Sequence, residues 1–66
     1  MKILKLRGKM VEKDMKVDAL ASIMRMDRAT LYRKLNDGER FTIGEARKIK
    51  TALDLTDEEA VEIFFG

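Results

Sequence analysis

Val17 to Asn36, VDALASIMRMDRATLYRKLN, is the stretch whose reading decides the fold. Leu20, Ala21 and Met24 give an apolar i, i+1, i+4 face to one short helix, and Leu31 and Leu35 give an i, i+4 face to a second. Two helices this close must meet at a tight turn. Ala21 is small where they cross, Met26 can turn inward between them, and Asp27 is placed to cap the second helix through its orphan N–H groups. The second helix keeps Ala29, Thr30, Tyr32, Arg33 and Asn36 for its outer face. Hydrogen-bonding groups, one planar ring, an arginine and no carboxylate are the chemistry of a helix that lies in the major groove of DNA.

Composition narrows the alternatives. The chain has 66 residues, so it reads as one small domain spanning 1–66, with a core of modest size. With no cysteine and no histidine, disulfides, ordinary zinc sites and Ser-His or Cys-His nucleophiles are excluded. The remaining acids sit on expected outer faces, so no catalytic residue, metal ligand or cofactor is expected. No apolar run reaches the roughly 20 residues that span a bilayer, and no signal-peptide pattern opens the chain. The expectation is a cytoplasmic protein with no membrane role. The absence of proline and the small β-branched content favour helices throughout.

Charge is divided along the chain. All 14 Lys and Arg residues fall within positions 1–50, against seven acids there, a net of +7. The last sixteen residues hold five acids and no base, a net of −5. A basic body with an acidic tail suits nucleic-acid binding by the body.

Outside the central stretch, Met1 to Asp14 reads as a first helix with Ile3, Leu6 and Met10 on one face. Gly8 costs that helix roughly 1 kcal/mol relative to alanine, tolerable if another helix approaches closely there. After Asn36-Asp37, Gly38 is placed to end the second motif helix in a left-handed conformation. The loop Glu39-Arg40-Phe41 follows, with Phe41 expected as a core plug. Thr42-Ile43-Gly44-Glu45 and Thr56-Asp57-Glu58-Glu59 are capping boxes that open a fourth and a fifth helix. Ala46, Ile49 and Leu53 should face inward from the fourth. The five methionines are expected mainly as core filler.

The stretch VDALASIMRMDRATLYRKLN resembles the helix-turn-helix of small phage repressors and Cro-like regulators. Leu20-Ala21 sits where that motif has its packed Leu-Ala pair, and Met24 and Met26 flank the turn. LYRKLNDGERFT is similar to the recognition helix, exit loop and next helix start of prophage regulators, and the likeness runs from Lys5 to Phe65. Two positions depart from the pattern. Arg25 replaces the usual turn glycine, which requires a left-handed non-glycine residue, and Lys16 replaces a Ser or Thr cap.

The resemblance implies an all-α, compact five-helix lambda-repressor-like domain. It also implies a transcriptional regulator reading double-stranded operator DNA through helix 28–37. Base contacts are expected from Arg28, Ala29, Thr30, Tyr32 and Arg33, and phosphate contacts from Lys34, Asn36, Arg40 and Thr42. The alternative is a small antirepressor of the same fold that docks onto a repressor protein, an option to which Ile23 lends some weight. A homodimer is expected through Ile63 or Phe65, because the apolar arc of the fifth helix is wider than one core contact needs. No small-molecule effector is expected.

Overall fold

The computed structural model describes residues 1–38 and 40–66; the expectation for Glu39 lies outside the described residues. Five helices follow one another: α1 Ile3–Glu12, α2 Val17–Met24, α3 Arg28–Asp37, α4 Ile43–Ala52 and α5 Asp57–Phe65. No strand occurs among the described residues. α2 packs on both α3 and α4, while α5 packs on α1 and α4.

Three of the helices end in one way. At Asp14, Arg25 and Asp54 the backbone turns left-handed, with φ of 53°, 56° and 51°. At each, the residue that follows donates its N–H five positions back: Met15 to Met10, Met26 to Ala21 and Leu55 to Lys50, at 2.7–2.9 Å. The left-handed residue itself donates three positions back, to Val11, Ser22 and Thr51. These are the two bonds of a Schellman terminator, which satisfies helix-end carbonyls and turns the next side chain inward. Met15 and Met26 accordingly pack against the core, and Leu55 is buried in it. Glycine is the usual occupant; here two aspartates and an arginine accept the strain. α3 instead ends at Gly38 with φ 69°.

The starts are less uniform. Thr42 and Thr56 each form a complete capping box, with Glu45 and Glu59 closing them. Asp27 stands at the N-cap of α3 as expected, but its carboxylate makes no capping bond. Its ψ is 136°, in place of 164° and 163° at the two threonines, so the side chain meets the helix start differently. Lys16 likewise starts α2 without a side-chain cap. α1 is shorter than expected at both ends: Lys2, its N-cap, donates its N–H to the Ile63 carbonyl at 2.7 Å, and left-handed Asp14 closes the other end.

The core joins all five helices: Leu6 and Met10 from α1, Leu20, Ala21 and Met24 from α2, Leu31 and Leu35 from α3, Ile49 with Leu53 from the end of α4, and Leu55 with Ile63. No polar or charged residue is buried among the described residues. Ion pairs surround this core. Glu59 pairs with Lys9, Glu62 with Lys5 and Lys2, and Asp57 with Lys50. Much of the acidic tail is thus spent on lysines of α1 and α4. Such exposed pairs each add little stability.

One condition is not met and one expectation fails. A Cβ at Gly8 would meet nothing within 4 Å, so no neighbouring helix explains that glycine. Ile63, expected at a dimer surface, is a core residue at 2% exposure. α1 takes the side of α5 that carries Ile63, which leaves Val61 and Phe65 as the outward apolar residues.

Candidate nucleic-acid interface

Leu31 and Leu35 point one side of α3 into the core, and that fixes what the other side presents. Arg28, Ala29, Tyr32, Arg33 and Asn36 are exposed, and Thr30 is half-buried at the edge of the same face. From Arg28 to Asn36 the helix carries no carboxylate; Asp37, its last residue, carries the first. A cationic, hydrogen-bonding helix face standing clear of the domain can enter a groove about 12 Å wide.

Arg28 pairs through its Nε with Asp18 of α2, and both side chains are largely exposed. An exposed pair of this kind is held by no more than about 1 kcal/mol, so a phosphate or guanine edge can compete for the guanidinium. Asn36 accepts a hydrogen bond from Arg7 of α1 through Oδ1, which leaves its amide N–H groups as the donors it can offer outward.

Lys34 does not join this face. Its ammonium lies 3.0 Å from Glu45 Oε1 and 5.5 Å from the centre of the Phe41 ring, with the side chain only 16% exposed. The same Glu45 oxygen accepts the Thr42 backbone N–H at 2.8 Å. Burial pushes the Glu45 carboxyl up, but the Thr42 N–H and the Lys34 ammonium together hold it below the usual carboxylate range. Phe41 packs edge-on against Phe64, with centroids 6.2 Å apart. Lys34, Glu45, Phe41 and Phe64 therefore fasten the end of α3 to α4 and α5. The expected phosphate contact from Lys34 is corrected accordingly. Sequence reasoning missed this network because its members are distant in the chain.

Arg40 is exposed two residues before Thr42, the α4 cap. The first N–H groups of a helix have no intrahelical acceptor. The Thr42 hydroxyl takes that of Glu45 at 3.1 Å, so the Ile43 and Gly44 amides remain at the helix start beside Arg40. Free N–H groups at a helix start are able to bind an anion such as phosphate.

Residues 5–65 match the family model of the Cro/C1-type HTH DNA-binding domain. The chain belongs to that family. The turn between its second and third helices, from Met24 to Asp27, is made by left-handed Arg25. No curated protein and no solved structure matches the chain. No described helix of this Cro/C1-type domain is long and apolar enough to cross a membrane.

Proposed function

We propose that this domain is a transcriptional regulator that recognises a specific operator by placing α3 in the major groove. The observation that carries the reading is the face of α3 itself, acid-free from Arg28 to Asn36 and set outward by buried Leu31 and Leu35. Arg33, with Arg28, Ala29, Thr30 and Tyr32, meets base edges. Asn36, Arg40 and the α4 start with Thr42 meet phosphates. Phosphate contacts set register, and base contacts set sequence. The role as an antirepressor docked on another protein is the competing reading, and exposed Ile23 is its one support.

Operator recognition in this reading is dimeric. Ile43, Val61 and Phe65 are 69%, 57% and 76% exposed and line one apolar groove between α4 and α5 with Ala46, Ala60 and Phe64. A two-fold pair closed through that groove covers all three and carries two recognition helices. Such helices read successive major-groove turns about 34–36 Å apart. An electrophoretic mobility assay with the regulatory DNA beside the chain's own gene tests the reading. A sequence-dependent shift supports it; absence of any shift, with tight binding to a repressor protein, overturns it in favour of the antirepressor.

A further inference from the structure

A polar contact between side chains 29 residues apart ties the C-terminal end of α3 to α1: the Arg7 guanidinium donates to Asn36 Oδ1. Each partner stands one residue after a buried leucine, Arg7 after Leu6 and Asn36 after Leu35, so the core sets both backbones. Of the three bases within α1, two are paired with glutamates, Lys5 with Glu62 and Lys9 with Glu12 and Glu59. Arg7 lies two residues from each of these lysines and so on the opposite side of the helix. It is half-buried, and among the described residues it pairs with no carboxylate. Its partner is a neutral amide.

That choice of partner has a chemical consequence. A guanidinium has five N–H donors and no acceptor, so the atom of the Asn36 amide that faces it must be the oxygen. The amide nitrogen, with its two donors, is then turned away from α1. A hydrogen bond from a charged donor is stronger than one between neutral groups, which holds the amide in this sense. An asparagine without such a partner can offer both atoms together to N6 and N7 of an adenine.

We propose that Arg7 is a positioning residue for DNA binding. It fixes the Asn36 carboxamide with its N–H groups outward, which makes Asn36 a donor to a phosphate oxygen and denies it the two-bond contact with adenine. The inference rests on the major-groove reading of α3 given above. A donor of this kind near the end of α3 sets the register of the helix on the duplex and adds nothing to sequence choice. Sequence choice is left to the residues from Arg28 to Arg33.

The chain has one asparagine and no glutamine, so the one side-chain carboxamide signal in its nitrogen-15 spectrum belongs to Asn36. In the DNA-free protein that NH2 group should be as rigid as the backbone of α3. Arg7→Met should make it mobile while leaving the backbone signals of α3 in place. On DNA, a double-mutant cycle isolates the coupling, because the cost of losing the Arg7 charge is common to both halves and cancels. Asn36→Ala should weaken binding about ten-fold in the parent, equally on a selected and a scrambled duplex, and less than about two-fold in Arg7→Met. A role of Arg7 in stability alone predicts the same cost in both backgrounds. Equal costs there, a larger loss on the selected duplex, or a carboxamide already mobile in the parent would overturn the proposal. Absence of parent binding to any duplex would overturn the major-groove reading and with it the phosphate contact, and the free-protein spectrum alone then decides whether Arg7 holds the amide.

Discussion

Replacing Leu31 with alanine should nearly unfold the domain. Leu31 is 0% exposed and is, with Leu35, one of two leucines that anchor α3 to the body. The substitution removes the transfer free energy of the lost methyl and methylene groups and leaves a cavity that packed neighbours fill only in part. For buried leucines the two effects together amount to about 2–5 kcal/mol. A domain of 66 residues has roughly 3–10 kcal/mol of total stability at about 0.05–0.15 kcal/mol per residue. At about 4–8 °C per kcal/mol for a domain of this size, the midpoint should fall by about 10–40 °C. The comparison is Leu4→Ala, a residue 80% exposed, which in dilute solution should change stability by no more than about 0.5 kcal/mol. Circular dichroism melts of both variants decide the matter. A midpoint for Leu31→Ala within a few degrees of the parent would refute the helical phase on which the exposed face of α3 depends.

Three further outcomes follow from the same geometry. The side chain of Lys9, then the Thr56 N–H, holds the Glu59 carboxyl at about 2, below its usual 4.5. A depressed folded-state value gives stability that is present above pH 4.5 and lost as the pH falls towards 2; acid titration of Glu59→Gln should therefore show a shallower loss over that window. Arg25→Gly should raise stability by up to about 1 kcal/mol, because glycine relieves the left-handed strain at φ 56°, whereas Arg25→Val should lower it; chemical denaturation measures both. Thr56→Ala opens the α5 capping box and should cost about 1 kcal/mol, read as a lower urea midpoint at unchanged slope.

What the sequence disclosed was whatever is decided within one turn of chain. Both capping boxes are i, i+3 relations, and both formed as their spacing predicts. Left-handed Arg25 was legible through the family resemblance, since it stands where the motif has its turn glycine. The matching terminators at Asp14 and Asp54 carry the same local signal, an inward hydrophobic residue one position after a polar one. Choices made between distant segments were hidden. The wide apolar arc of α5 offered two sides to the core, and only the placement of α1 against it buries Ile63 and exposes Val61. Lys34 looked like a phosphate ligand because Glu45, eleven residues on, could not be seen to reach it. Whether a neighbour approaches Gly8 was equally hidden, and a Cβ there would meet nothing within 4 Å.

The central claim is that α3 reads sequence, and one measurement tests it most directly. A duplex selected from a randomised pool and a scrambled control are titrated across a salt series with the parent chain, Arg33→Ala and Arg40→Ala. Arg33→Ala should lose about 5–150-fold on the selected duplex, the equivalent of about 1–3 kcal/mol of base discrimination, and little on the scrambled one. Arg40→Ala should weaken both duplexes alike and lower the salt slope by about one charge. Equal losses on the two duplexes for Arg33→Ala would contradict base reading by α3.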